Sequence, residues 1–424
     1  MQFKKINNER VTLIIVSLFP LLFVLGSAPL NIILVSIFLW FIWKTYNNKI
    51  PLIYYVNNRW KIFLLIYIVY LIFISFFSIN LYDAFRSSFS QLRFFILVLF
   101  LIYFFKPQKH LKSVVIPIWS LIILLVCLDT NLQFVTGLDI FGFSAEAYKK
   151  DYRSLFPFVG RLSGPFDDEL IVGSFIAKIG SPLVFYYVHN LKNFTLNKKI
   201  ICIMFLTVIF ESVIISGERT STIIIAMAFL LSVFINFKKG FVYVIIIFIS
   251  FQIILKNNDF INTRYVELIK ISKDLKSSSY GRIYSSSIVM WKQKPLIGVG
   301  LKNYHMNCVK LKDPNPTSRY TYCSPTHPHN FILQMLTETG IIGTILFFIF
   351  ILFSAKFFLN RSKDLNLLKN EKSFLYGCLF ISVYYVIPNI IPAGSFFSTF
   401  NASLFWINFA ILMSSLDNKN KMKE

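Results

Sequence analysis

The sequence predicts an all-α polytopic membrane protein of about 12 transmembrane helices, with one large, partly helical hydrophilic loop between helices 9 and 10. Three observations predict it. First, 56% of the 424 residues are hydrophobic and 15% are charged, where a soluble domain carries about 25% charge; the mean hydropathy is +0.63. Second, the apolar residues, 48 Phe among them, fall in long blocks. Third, the basic residues behind the net charge of +23 mostly flank those blocks. That placement sets aside a nucleic-acid binder, because topology and anionic lipid or phosphate ligands account for the charge.

A bilayer core of about 30 Å needs roughly 20 apolar residues per helix. The candidate spans are about 11–25, 28–43, 60–79, 89–105, 111–128, 170–188, 199–215, 222–236, 240–255, 338–357, 374–391 and 397–414. Gly26-Ser27-Ala28-Pro29 separates the first two as a tight turn. The first apolar block lacks a small-residue cleavage site and further spans follow it, so it reads as a span rather than a cleavable signal. Residues 1–424 therefore read as a single membrane domain.

Orientation follows from the short loops. Lys4, Lys5 and Arg10 precede span one; Lys44, Lys49, Arg59 and Lys61 follow span two. Lys106, Lys109 and Lys112, then Lys192, Lys198 and Lys199, then Lys238 and Lys239 fall on the same side, as do Lys356, Arg361, Lys363, Lys369 and Lys372 and the terminal Lys419, Lys421 and Lys423. The short loops opposite hold only Arg86 and Arg219. Both termini are expected to be cytoplasmic, with two long loops, about 129–169 and 256–337, facing outward. A structureless loop of the second one's length is unusual, so it is expected to fold and to carry function.

The outward segments concentrate the chemistry. Residues 161–175 offer Arg161, a Gly-Pro turn and Asp167, Asp168 and Glu169 at the entrance to span six. Those acids fit a helix cap or a substrate contact. Arg219, in ISGERTST (215–222), fits a surface pair with Glu218 or an anion clamp, since a planar, permanently charged fork suits phosphate oxygens. The large loop has twelve Lys and Arg against four acids, Asp259, Glu267, Asp274 and Asp313, which favours an anionic partner. The stretch SSYGRIYSSSIVMWKQKPLIGVG (278–300) reads as a helix ended by Pro295, Gly298 and Gly300, with Arg282 at its start. Ile283, Ser287 and Trp291 recur at a four-residue step, so it is expected to lie on the membrane or the bundle.

Two of the five histidines, His327 and His329, stand together before span ten, followed by Asn330. They fit a metal site, a structural role or, for His329, a general base: a neutral imidazole accepts a proton from a sugar hydroxyl. Glu338, nine residues on, fits either a partner of that histidine or a helix cap. Cys308 and Cys323 enclose a Pro-rich turn and can form a disulfide in an oxidising compartment; Cys127, Cys202 and Cys378 lie in apolar spans as small core residues.

These pieces together resemble the O-antigen ligase and polymerase superfamily. The layout matches over most of the chain. The motifs are R-x-x-G-x-F at Arg161–Phe166, S-G-x-R at Ser216–Arg219, G-R at Gly281–Arg282 with P-L-I-G-V-G after it, and H-x-H-N-x-x-L then E-x-G-x-x-G across His327–Gly343. The resemblance implies an inner-membrane glycosyltransferase whose large loop is periplasmic. It would move a glycan from an undecaprenyl-pyrophosphate-linked donor to an acceptor hydroxyl, the lipid A core in the ligases, with inversion and with neither a metal nor another cofactor. Its essential groups map by motif onto Arg219, Arg282 and His329. Arg161, His327, Asn330, Glu338 and Asp168 are expected around the substrate, and Glu218 departs from the small residue expected there. An O-antigen polymerase and a protein O-oligosaccharyltransferase share the donor and much of the motif set. A polysaccharide transporter would instead show in-span charges and repeated halves; here only Arg93, Lys178 and Glu211 lie near or within spans.

Overall fold

The computed structural model describes residues 8–47, 56–144, 149–150, 158–236, 249, 251–253, 255–276, 278–318, 320–361, 371–385 and 394–416. The expected ninth span lies mostly outside them. The chain divides into two compact units, each drawn from three stretches. The first unit takes Met1–Leu30, Phe104–Ile269 and Leu365–Tyr384; the second takes Asn31–Tyr103, Lys270–Asp364 and Tyr385–Glu424.

The described residues are overwhelmingly helical, with a two-residue antiparallel pairing of Lys149–Lys150 and Phe158–Val159. The helices are α1 (Asn8–Val24), α2 (Ser27–Asn47), α3 (Arg59–Ser75), α4 (Leu81–Phe104), α5 (Ile116–Thr136), α6 (Val172–Asn190), α7 (Leu196–Ile215), α8 (Arg219–Asn236), α9 (Asp259–Lys273), α10 (Ser279–Gln293), α11 (Tyr304–Cys308), α12 (Gly340–Arg361), α13 (Lys372–Tyr384) and α14 (Thr399–Leu416). Among the described residues a helix lies at each of the eleven expected spans other than the ninth. Five stretches among the described residues are long and apolar enough to cross a membrane: Ser27–Asn47, Leu81–Phe104, Leu111–Thr136, Phe331–Arg361 and Thr399–Leu416. Arg219–Ile235 and Lys372–Tyr384 are shorter apolar helices.

One boundary differs from expectation. α5 runs to Thr136, and Gly137 ends it at φ 85, its N–H on the Gln133 carbonyl at 2.8 Å. The first long loop therefore starts at 137, not 129. The extra helical turns bring in Gln133, whose buried amide accepts the Ser163 and Gly164 N–H groups and donates to the Phe143 carbonyl. One side chain thus ties both ends of that loop to α5.

In the first unit α6 is the central helix, packed against α5, α7, α8 and α13. Gly377 permits its close approach to α13, because a Cβ there would strike the Pro182 backbone. At the other end of this unit Glu9 meets Lys106 at 2.7 Å, Lys109 at 3.1 Å and His110 at 2.8 Å. The bond from Lys106, then that from His110, hold its carboxyl down at about 2. The start of α1 and the segment before α5 therefore lie together, as the loop charges predict.

In the second unit α12 packs along α3 and touches α14. Aromatic rings fill the contact: Phe63 stacks on Phe353 at 4.9 Å, and Phe347, Phe350, Phe405, Trp406 and Phe409 form a continuous cluster. Such pairs add about 0.5–1.5 kcal/mol each beyond area burial. The helix preceding α12 is broken: Phe331–Gln334 passes into a π turn, Met335–Thr339, and Gly340 follows at φ 67. A break within an apolar helix exposes backbone groups that must find partners. Here they find the 295–300 run. Val299 and Gly300 donate to the Thr337 and Glu338 carbonyls at 2.8 and 2.9 Å, and Ile341 and Ile342 donate to those of Pro295 and Leu296 at 2.9 and 3.2 Å. A Cβ on Gly298 would sit 2.6 Å from the Gly340 nitrogen. P-L-I-G-V-G and E-x-G-x-x-G are thus two halves of one backbone clasp.

Candidate functional site

The first unit carries Arg161 and Arg219 beside the turn between α7 and α8. Gly217 makes this turn at φ 73, and a Cβ there would press on Arg161 Cγ at 3.4 Å. Arg161 Nη2 donates to the Leu170 carbonyl at 2.9 Å, while its Nε is buried without a partner. Glu218 is buried between these elements. Its Oε1 accepts the Gly173 N–H at 2.8 Å and its Oε2 accepts the Ser221 hydroxyl at 2.9 Å. Burial pushes its carboxyl up, and the positive charge of Arg161 pulls the other way.

This corrects two sequence readings. The N-cap position of α6 is Ile171, which supplies no side-chain bond. The cap is Glu218 from another loop, so Asp167, Asp168 and Glu169 do not serve that role. Asp167 instead turns the chain at φ 56, and Asp168 is exposed. Nor does Glu218 pair with Arg219. Arg219 forms its ion pair with Glu267 on α9, and its Nε is buried with no hydrogen-bond partner. α9 braces the turn further: Tyr265 shares a hydrogen bond of 2.6 Å with Thr222, and Arg264 donates to the Gly217 carbonyl at 3.4 Å. Sequence reasoning missed Glu267 and Tyr265.

The second unit carries Arg282, His327, His329 and Asn330, and sets the rings of His327 and His329 side by side. α10 opens on Ser278, whose hydroxyl accepts the Gly281 N–H at 3.1 Å. Gly281 admits no side chain, since a Cβ would clash with the Leu275 carbonyl. Arg282 Nη2 donates to both oxygens of Asp313, at 2.8 and 2.7 Å, and to the Asn315 carbonyl at 3.0 Å. Its guanidinium lies 5.7 Å from the Tyr322 ring centre, and its Nε is buried and unpartnered. Glu267 and Asp313 are two of the four acids in a loop with twelve basic residues. Their scarcity was the signal that could have marked them.

The loop carrying Asp313 is closed by the Cys308–Cys323 disulfide. Cys308 packs with Met290, Val299 and Tyr304, and Ile283, Ser287 and Met290 of α10 are buried. The apolar face of α10 therefore serves a small core of its own unit. His305 Nδ1 meets the Ser324 carbonyl at 3.0 Å, and the Ser324 hydroxyl meets His329 Nε2 at 3.2 Å. His329 is a non-glycine residue at φ 55, a conformation that persists only where its surroundings impose it. Its ring centre lies 4.3 Å from that of His327 and 6.1 Å from that of Tyr280. Burial pushes the His329 imidazole below the ordinary histidine value, which favours its neutral form.

The neighbouring polar residues are internally engaged. His327 Nδ1 lies 2.8 Å from the Thr326 hydroxyl. Asn330 accepts the Leu333 N–H at 3.0 Å, capping the turn at Phe331–Gln334, and also bonds the Tyr284 hydroxyl. Glu338 accepts from Gln334 at 3.0 Å and from the Lys302 N–H at 3.3 Å, bonds that bind it to the clasp rather than to His329. Gln334 in turn bonds Ser395 at 2.7 Å.

An apolar cavity of about 610 Å³ lies in the first unit, lined by Leu121, Leu124, Leu128, Tyr187, Met204 and Phe205 with Lys198. Its residues on α7 run only to Val208, so it sits toward the end of that helix away from Arg219.

Residues 203–348 match the family model described as O-antigen ligase. The match covers roughly a third of the chain and agrees with the superfamily read from the motifs. It contains Arg219, Arg282, His327, His329, Asn330 and Glu338, but not Arg161 or Asp168. No curated protein matches the chain.

Proposed function

We propose that this protein is a membrane glycosyltransferase of the O-antigen ligase type. It transfers a glycan from undecaprenyl pyrophosphate to a hydroxyl of the lipid A core, at the periplasmic face of the bacterial inner membrane, with both termini in the cytoplasm. The observation that supports the reading is that the matched segment holds both a half-buried imidazole in left-handed conformation, His329, and an arginine, Arg282, oriented by its own carboxylate.

In this reading His329 takes the proton of the acceptor hydroxyl. The resulting oxygen attacks the anomeric carbon of the donor from the face opposite the phosphate. The C1–O bond to the phosphate breaks, its electron pair leaves with undecaprenyl pyrophosphate, and the configuration inverts. Arg219 and Arg282, with Arg161, stabilise the charge that develops on the leaving group. Asp313 and Glu267 orient these forks, and the unpartnered Nε–H groups remain as donors. Ser324 and the left-handed backbone at His329 aim the base. Asn330 and Glu338 act by holding the clasp and the turn that support it.

The test is transfer in a reconstituted membrane, from a lipid-linked glycan to lipid A core. The wild-type protein is expected to form glycosylated lipid A core. Well-folded His329→Ala and Arg282→Ala variants are expected to leave the donor untouched, and normal transfer by either would remove its assigned role. A deletion strain checks the acceptor. A ligase deletion accumulates long polymer on the polyprenyl carrier, a polymerase deletion leaves single repeats on the core, and loss of a protein O-oligosaccharyltransferase abolishes a glycoprotein.

A further inference from the structure

The second unit holds cations that this chemistry does not use, Arg93 among them. Arg93 lies midway along α4, within a stretch apolar enough to cross a membrane. Its Nη1 donates to Asn31 Oδ1 at 2.5 Å and its Nη2 to the Thr399 hydroxyl at 3.0 Å. The guanidinium carbon is 4.9 Å from the Phe94 ring centre, and Nε is buried with no hydrogen-bond partner. Every one of these partners is neutral. Among the described residues no carboxylate forms an ion pair with Arg93. Three acids of this unit have other partners: Asp83 accepts from Asn80, Asp313 from Arg282 and Glu338 from Gln334. Residues 386–393 contain no acid at all.

A guanidinium among neutral groups in an apolar helix is unfavourable until an anion joins it. The helix geometry sharpens the point. Thr399 is the first residue of α14, so the positive end of that helix dipole meets the positive side chain. Two groups of one sign converge, and among the described residues no carboxylate pairs with either. The remaining guanidinium N–H donors form a fork suited to phosphate oxygens. The adjoining surface is apolar: Ile32, Val35 and Leu39 on α2 and Phe89 on α4 are exposed. A ligand seated here has an anionic head and an apolar tail.

We propose that Arg93, clamped by Asn31 and Thr399, binds the phosphate group of a membrane lipid. The phosphate comes from a glycerophospholipid or from a polyprenyl carrier, which share the same recognition chemistry. This site rests on its own cluster and stands whether or not His329 is the base.

The test is native mass spectrometry of the full chain in detergent, titrated separately with phosphatidylglycerol, undecaprenyl phosphate and diacylglycerol. The wild-type protein is expected to retain one phosphate-bearing lipid per chain and no diacylglycerol, and the retained lipid identifies the source. Arg93→Gln is expected to lower that retention at least tenfold. The pair Asn31→Ala with Thr399→Ala keeps the charge, loosens the clamp and is expected to lower retention several-fold. Arg86→Gln, which removes an exposed charge from the same helix, is expected to leave it unchanged. Equal retention by the wild type and Arg93→Gln, or equal retention of diacylglycerol, overturns the site. If Arg93→Gln cannot be purified, retention unchanged in the double variant overturns it as well.

Discussion

Arg219 and Arg282 each lean on one of the few acids of a basic loop, yet their settings differ. Arg219 sits on a glycine turn of the first unit and pairs with a Glu267 whose side chain is 52% exposed. Among the described residues of its own unit no imidazole bonds it; its neighbour Glu218 caps α6. Arg282 sits at the head of α10 and pairs with an Asp313 that is 28% exposed. Its loop is stapled by a disulfide and runs into a buried histidine in left-handed conformation. The first setting can hold an anion, whereas the second can hold an anion and move a proton. Similar arginines therefore acquire different duties from the groups that brace them.

The largest expected effect separates these duties. His329→Ala should lower transfer by about 10²–10⁴-fold, the range of a lost general base. Arg219→Ala should lower it by about 10²–10³-fold, the range of a lost charge-stabilising donor. Donor-concentration series of the reconstituted reaction measure both. A response of Arg219→Ala confined to donor affinity, with an unchanged saturated rate, would make it a binding group only.

Next comes the staple. Cys308→Ser with Cys323→Ser should destabilise the second unit's loop by about 3 kcal/mol, the entropic value for a loop of about 15 residues. Calorimetry or limited proteolysis at the 309–322 turn reads this, and the first unit's α6–α8 packing should be unaffected. An equally stable double variant would show that the small core around Tyr304 suffices.

A smaller effect compares the two braces. Asp313→Asn should cost about tenfold in transfer, as expected when a partly buried charge-assisted pair worth about 1.5 kcal/mol is weakened. Glu267→Gln should cost less than about fivefold, because exposed pairs are worth about 0.2–1 kcal/mol. The reverse order would move the catalytic emphasis to the first unit.

The mildest test is pH. The His329 imidazole is held below 6.5 by burial. Protonation removes the base, so activity should persist through the ordinary histidine range and fall only as the pH drops through the lowered value. An acid limb with its midpoint above 6.5 would point to another group.

The positions of the apolar helices were legible in the sequence because a span is a local property: a run of about 20 apolar residues determines it. The end of α10 was signalled by Pro295, Gly298 and Gly300 for the same reason, whereas the break before α12 fell across the start of a span expected to be continuous. Cys308 and Cys323 were readable as a possible pair, since both stand in one short hydrophilic segment. The acids at 167–169 misled because an acid just before a helix usually caps it, and here the folded chain offered a better carboxylate.

Amino-acid order alone determined where this chain is apolar, where its helices stop and which side chains can carry charge or accept a proton. Tertiary structure decided the partners: Glu218 on the α6 terminus, Glu267 on Arg219, Asp313 on Arg282, and the 295–300 backbone on the broken helix. The reason is range. Apolar runs and turn residues act over a few positions, whereas a buried charge or an unsatisfied carbonyl takes whichever complementary group the packed chain brings within about 3 Å.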